Sequence, residues 1–168
     1  GTPTNDPTVL LYAIATVKMN GNNYTVKVPL KIIMPVKEVK LTPKTGELDT
    51  SYVKTLQLTA TVEPYNATDK TVTWSTSSSK IASVSSKGLV TAKKGGKATI
   101  TVKTNDGGHK DTCVITVKVY PSSVDFEFSE LTMTLGMSEK LIPVFTPADT
   151  TERDVTYTSS NESYVSIA

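Results

Sequence analysis

The chain has a single cysteine, Cys113, a single histidine, His109, and a single tryptophan, Trp74, among 168 residues. Each scarcity closes off a class of function. One cysteine forbids an intramolecular disulfide and a cysteine-rich zinc site, so the fold must hold by its core alone. The lack of disulfides does not by itself assign a compartment, because surface proteins without paired cysteines obey the same redox rule. No apolar run approaches the roughly 18 residues that span a bilayer, and the opening Gly1-Thr2-Pro3-Thr4 has no export-signal architecture. The segment is therefore read as not membrane-spanning, with any signal lying outside it. Charge of one sign is scarce too: 18 basic and 16 acidic residues, interspersed, leave +2. That balance gives no basic stripe, so no nucleic acid is expected as a partner, and the loop lysines Lys93, Lys94 and Lys97 are too few to argue otherwise.

What the chain does have is Thr, Ser and Val, a composition that suits strands and turns. Leu56, Leu58, Ala60 and Val62 alternate with Gln57, Thr59, Thr61 and Glu63, the period of a strand with one buried face. Turn formers at Pro64 to Asp69 break the pattern, and Val72 and Trp74 resume it on one side, which predicts a core position for Trp74. A turn at Ser86-Lys87-Gly88 precedes Leu89 to Ala92. Gly95-Gly96 precedes the alternation of Ala98, Ile100 and Val102, and Asn105-Asp106-Gly107-Gly108 predicts a hairpin tip leading to Cys113, Ile115 and Val117. Short strands at this spacing point to an all-β sandwich or barrel.

An internal repeat organises these strands. Pro64 and Pro147 lie 83 residues apart, and at that offset Leu58, Thr68, Val72, Thr73, Ser77 and Ser83 meet identical residues with no gap. Trp74 meets Tyr157, Val62 meets Phe145, Asn66 meets Asp149 and Asp69 meets Glu152. Such a period is the size of one small sandwich rather than of a solenoid repeat. Ala13 to Lys18 followed by Asn20-Gly21 matches Ala98 to Lys103 followed by Asn105-Asp106, and Pro35 is matched with Pro121 by residue identity. Residues 1–35 thus read as the last hairpin of a preceding domain, 36–118 as a complete domain, and 119–168 as the first half of a further one. Pro29 is expected to interrupt the last strand of the first segment.

The run Leu58 to Pro64, Asn66-Ala67-Thr68, Val72-Thr73-Trp74-Ser75, Gly88 to Ala92 and Gly96 to Val102 resembles the bacterial immunoglobulin-like group 2 family. The resemblance covers 36–118 and continues into 119–168, where Tyr157 stands in for the tryptophan. It implies immunoglobulin-like β-sandwich domains in tandem, of the kind found in bacterial surface proteins, invasin-like and intimin-like adhesins, secreted polysaccharide-active enzymes and phage structural proteins. It carries no catalytic residues to transfer. The expected role is a non-catalytic stalk or spacer, extracellular at the bacterial surface or alternatively in a virion. The expected partners are neighbouring immunoglobulin-like domains of the same chain, with a carbohydrate or a host surface protein as the ligand of a binding variant.

His109, in a hairpin tip, reads as a solvated turn residue. Cys113, in phase with Ile115 and Val117, reads as a small core hydrophobe. Tyr52, Tyr65 and Tyr120 are the candidates for a binding surface, with Tyr120 at a domain junction. No cofactor is implied. Asp49, Asp69, Asp106 and Asp111 stand near turns where carboxylates could hold calcium, but without the one-three-five spacing of a dedicated loop. The triplets beginning at Asn23, Asn66 and Asn161 fit a glycosylation pattern that a Thr-rich chain produces by chance. The junctions Met34-Pro35-Val36 and Tyr120-Pro121-Ser122 lack a glycine tether, which predicts semi-rigid stacking of successive domains. The two cut ends could also complement each other between copies by strand donation.

Overall fold

The structure is a computed structural model that describes residues 11–167, and every regular element among them is a strand. The first ribbon pairs β1 (Leu11–Met19) with β2 (Asn22–Leu30) in antiparallel register, from Leu11 opposite Leu30 to Met19 opposite Asn22. Asn20 and Gly21 close it with φ of 51° and 84°, the left-handed pair that a two-residue hairpin turn requires. β2 runs through Pro29, which faces Tyr12, so the expected interruption does not occur. In a two-stranded ribbon one edge of β2 has no partner, and a residue without an N–H is tolerated there. Both faces of the ribbon are exposed.

The strands that follow are β3 (Glu38–Thr42), β4 (Thr45–Asp49), β5 (Thr55–Gln57), β6 (Thr59–Glu63), β7 (Val72–Thr76), β8 (Ala82–Val84), β9 (Leu89–Ala92), β10 (Gly96–Thr104) and β11 (Lys110–Lys118). One sheet has the order β4-β11-β10-β7, a second pairs β3 with β6, and a third has the order β5-β9-β8. β4 joins β11 in parallel, with Thr45 opposite Val114 and Asp49 opposite Lys118. This is the layout of an immunoglobulin-like β-sandwich, and its sequence cause is plain in β10, where Ala98, Ile100 and Val102 are buried and the intervening residues are not.

The chain divides into two compact units. The first takes the described residues of Gly1–Lys40 with Ala60–Thr73 and Val102–Asp111; it buries Val36, Val39, Val62, Ala67, Val102 and Thr104. The second takes Leu41–Thr59, Trp74–Thr101 and the described residues of Thr112–Ala168; it buries Leu41, Leu48, Leu58, Val90, Ile100, Cys113, Ile115 and Val117. Full burial of side chains of this size is worth about 1.5–3 kcal/mol each. That is the dominant favourable contribution in a domain without a disulfide.

Trp74 is half-buried, not the fully buried anchor that its phase suggested. Its indole lies against Gly88, where a Cβ would stand 2.8 Å from Trp74 Cζ2 and 2.7 Å from the Leu58 carbonyl oxygen. A ring this large is seldom covered on every side.

The last segment begins with β12 (Ser123–Phe126) paired antiparallel to β13 (Pro143–Thr146), the same pairing that joins β3 to β6. Phe145 is buried where Val62 is buried, and Thr150 where Ala67 is. Tyr157 donates its hydroxyl to the Leu141 carbonyl at 3.3 Å and stacks on Phe126 with ring centroids 6.2 Å apart. Leu141 is the counterpart of Leu58, so the repeated aromatic stands near the repeated leucine in both copies. The stretch around Val155 and Tyr157 keeps the alternate burial of Val72 and Trp74, but it pairs with no strand among the described residues.

Candidate functional site

The single cysteine and the single histidine both take up structural positions. Cys113 is fully buried in β11. His109 is half-buried, and its Nε2 stands 3.1 Å from the carbonyl oxygen of Val36. A carbonyl only accepts, so Nε2 carries the proton in this bond. The expectation of a solvated histidine is therefore corrected: the hairpin tip folds back onto Val36. Thr104, fully buried, shapes that tip by donating its hydroxyl to the Asp106 carbonyl at 2.6 Å and accepting from the His109 amide at 3.0 Å. Asp106 Oδ2 in turn accepts from the Val36 amide at 2.8 Å.

The aspartates read as possible calcium ligands are similarly engaged. Asp49 Oδ1 accepts from the amides of Ser51, at 2.7 Å, and Tyr52, and Oδ2 accepts from Val53 at 2.9 Å. The Tyr52 and Val53 amides hold the Asp49 carboxyl below the usual carboxylate range, against the opposing effect of its burial. Asp69 Oδ1 accepts from both the hydroxyl and the amide of Thr71, which lowers its pKa in the same way. Among the described residues no three His, Cys, Asp or Glu side chains gather into a metal-holding group.

Tyr52 and Tyr65 are 86% and 80% exposed, and Tyr120 is 41% exposed. Tyr52 sits in the loop fixed by Asp49, and that loop is tied at Thr50 to the Lys118 carbonyl by a bond of 3.2 Å. Tyr65 is in the Pro64 to Thr68 turn, which closes through the Ala67 amide on the Pro64 carbonyl at 2.8 Å. Tyr52 belongs to the second unit and Tyr65 to the first.

Two stretches of chain, at Met34 and at Val119, carry a geometry that recurs. At the first, the Thr68 amide donates to the Met34 carbonyl at 2.9 Å while Thr68 Oγ1 accepts from the Met34 amide at 2.8 Å. Three residues on, the Lys37 amide donates to the Glu63 carbonyl at 2.8 Å. At the second, the Thr151 amide donates to the Val119 carbonyl at 2.8 Å, and Thr151 Oγ1 accepts from the Val119 amide at 2.9 Å. Again three residues on, the Ser122 amide donates to the Thr146 carbonyl at 2.7 Å. The Pro147 turn closes through the Thr150 amide at 3.2 Å, as the Pro64 turn does through Ala67. One threonine thus satisfies both backbone groups of the residue entering each turn.

These bonds pair Met34 with Val119 and Lys37 with Ser122. Pro35 therefore occupies the place of Tyr120, and Pro121 the place of Val36, one position away from the expected match of Pro35 with Pro121. Neither Thr68 nor Thr151 was singled out from sequence as a contact residue, although their identity across the repeat was the available signal. Beside Val119, the Lys118 ammonium lies 3.0 Å from Glu47 and 3.8 Å from Glu152. The Glu47 hydrogen bond first, and then the Glu152 charge, raise its pKa above the ordinary lysine value.

The family model for the bacterial Ig-like domain (group 2) matches residues 35–115. An uncharacterized protein of Clostridium acetobutylicum is 36% identical over 111 residues, which cover 66% of this chain and 12% of that protein. An Ig-like virion protein of Serratia phage KSP90 is 40% identical over 86 residues, 51% of this chain and 33% of that protein. An alpha-L-arabinofuranosidase of Bifidobacterium longum is 48% identical over 62 residues, 37% of this chain and 6% of that enzyme. The chain thus spans no more than a third of the length of any of these three relatives. Among the described residues no helix is long and apolar enough to cross a membrane. With the strand order, the buried alternation and the family match in agreement, residues 35–115 belong to the bacterial Ig-like domain (group 2) family.

Proposed function

We propose that this chain is a non-catalytic run of immunoglobulin-like modules that serves as a stalk or spacer in a bacterial cell-surface or secreted protein. On this reading residues 1–35 are the closing hairpin of one module, 36–118 a complete module, and 119–168 the start of another. The observation that carries it is the repeated threonine grip. Met34 and Val119 are each held by a turn of the segment that follows, and Val119 comes directly after the last residue of β11, with no glycine tether between. Chain pinned this closely has little length over which to pivot. The similarity to a small part of an arabinofuranosidase suits the same role, that of an accessory module beside another protein's chemistry.

Backbone ¹⁵N relaxation on the 168-residue chain tests the reading. One rotational correlation time shared by 36–118 and 119–167 is the expected result. Two separate times would refute a semi-rigid spacer. A second reading, a decoration or tail module of a phage particle, is favoured by the similarity to an Ig-like virion protein. Co-purification of the parent protein with phage particles would select it over the cell-surface reading.

A further inference from the structure

We infer that Gly95 and Thr151 form a matched docking pair, in which a side-chain-free turn of one module seats the Pro147 to Glu152 turn of the next copy and selects for threonine there. Gly95 lies between β9 and β10, beside Gly96. Gly96 has φ of 137° and needs to be glycine for its backbone; Gly95 does not have a positive φ. Its lack of a side chain has another cause. A Cβ on Gly95 would stand 2.7 Å from Thr151 Cγ2, 3.1 Å from a Val119 methyl and 3.7 Å from the Asp149 carbonyl oxygen.

The neighbour that would have to yield is the Thr151 methyl, and it cannot yield freely. Rotating about χ1 to move Cγ2 away would take Oγ1 off the Val119 amide, to which it is bonded at 2.9 Å. Thr150 closes the other side of the grip, donating its buried hydroxyl to the Val119 carbonyl at 2.6 Å. Lys118 reaches Glu152 at 3.8 Å across the same seat. Three consecutive residues of the incoming turn thus meet Gly95, Lys118 and Val119. Serine would keep the hydroxyl and lose the methyl, and valine would do the reverse, so the two requirements can be separated.

The inference rests on the reading of the chain as successive modules, and the experiment keeps the two apart. Amide hydrogen exchange is measured at Val119 and Thr151 in the full chain, with Ile115 as a reference for the core, in wild type, Gly95→Ala, Thr151→Ser, Gly95→Ala/Thr151→Ser and Thr151→Val. Gly95→Ala should speed Val119 exchange by on the order of tenfold, in the range of couplings between touching residues. Adding Thr151→Ser should restore most of the protection, because the clashing methyl is gone. Thr151→Val should speed Val119 exchange with Gly95 intact, and Thr151→Ser alone should not.

Unchanged protection in Gly95→Ala, or a double variant no better protected than Gly95→Ala, overturns the docking pair. If Gly95→Ala does not fold, the Ser and Val variants at Thr151 decide alone: equal exchange in both rejects the grip. A single correlation time alongside unchanged protection in Gly95→Ala would reject the docking pair and leave the spacer standing, whereas separate correlation times would reject both.

Discussion

Thr68 and Thr151, 83 positions apart, grip Met34 and Val119, 85 positions apart, with the same pair of hydrogen bonds. The two-residue difference falls between the gripped residue and the turn. The β3 to β6 stretch is longer than the β12 to β13 stretch by that amount, while the turn itself keeps its length. A repeat that absorbs a length change without altering its grip is maintained by hydrogen-bond geometry and not merely by shared sequence. The surplus falls ahead of Leu58 and Leu141, which keep the 83-residue offset.

The grip predicts a separation between two conservative substitutions at Thr68. Thr68→Val keeps the branched shape but leaves the Met34 amide without its acceptor, and should cost about 0.5–1.5 kcal/mol, the net worth of one hydrogen bond. Thr68→Ser should stay within about 0.5 kcal/mol of wild type, as a surface change that preserves its contacts. Chemical denaturation with amide exchange at Met34 checks both. Faster Met34 exchange in the Val variant alone is the expected pattern.

Asp49 predicts a pH dependence of known sign. Its folded pKa lies below the unfolded value of about 3.9, because the Tyr52 and Val53 amides favour the charged form. The stabilisation is therefore complete above pH 3.9 or so and is lost as pH falls through the lower folded value. Asp49→Asn keeps one oxygen for Ser51 and Tyr52 but offers an N–H₂ to the Val53 amide. The variant should be less stable than wild type at neutral pH, and the gap should narrow on acidification below about pH 4. Urea midpoints from pH 7 to pH 2 measure this gap. Asp69, shifted in the same direction, supplies acid sensitivity that remains in the variant.

The strands, the turns at Gly88 and Gly107, and the 83-residue repeat could be read from the sequence, because each rests on a period or on a residue that only one conformation suits. The match of Met34 with Val119 was legible too, in the offset of the first hairpin rather than in its proline. Matching Pro35 to Pro121 by identity misses by one, because the offset of 85 that aligns Ala13 with Ala98 places Pro35 opposite Tyr120, as the bonds at Met34 and Val119 do. The neighbours of His109 in sequence are turn formers, which suggest a solvated residue. Its partner, Val36, stands 73 positions away, and nothing local announces it. The Asp49 loop is the opposite case. The bonds to Ser51, Tyr52 and Val53 are local, and an aspartate at the end of a strand forms such turns, which favours loop shaping over calcium.

Gly88 predicts one of the larger losses available to a single methyl group. It has φ of +80°, and its added Cβ would meet the Leu58 carbonyl and the Trp74 ring inside 3.0 Å. Left-handed backbone costs an L-residue about 1–2 kcal/mol, and forced overpacking typically adds about 1–3 kcal/mol. Gly88→Ala should therefore lose at least 2 kcal/mol or so. Trp74 fluorescence should shift even before unfolding, because the indole is the neighbour able to move. Gly21→Ala makes the control: its φ of +84° imposes the backbone penalty, but nothing lies within 4 Å of the added methyl.

The exposed tyrosines separate an adhesive role from a purely mechanical one. Tyr52 and Tyr65 are almost fully solvated, so their removal should change stability by no more than about 0.5 kcal/mol. Tyr120, less exposed and within the gripped junction, should cost more when truncated, because its ring has surface to lose. If a glycan or protein ligand docks on these rings, Tyr52→Ala and Tyr65→Ala should each reduce binding on a carbohydrate or host-protein array by tenfold or so, about 1.4 kcal/mol, without moving the denaturation midpoint. Thr151→Val should do the reverse, loosening the junction and leaving ligand binding unchanged. Wild-type chain that binds nothing on either array removes the adhesive role, while the threonine grip still accounts for a spacer.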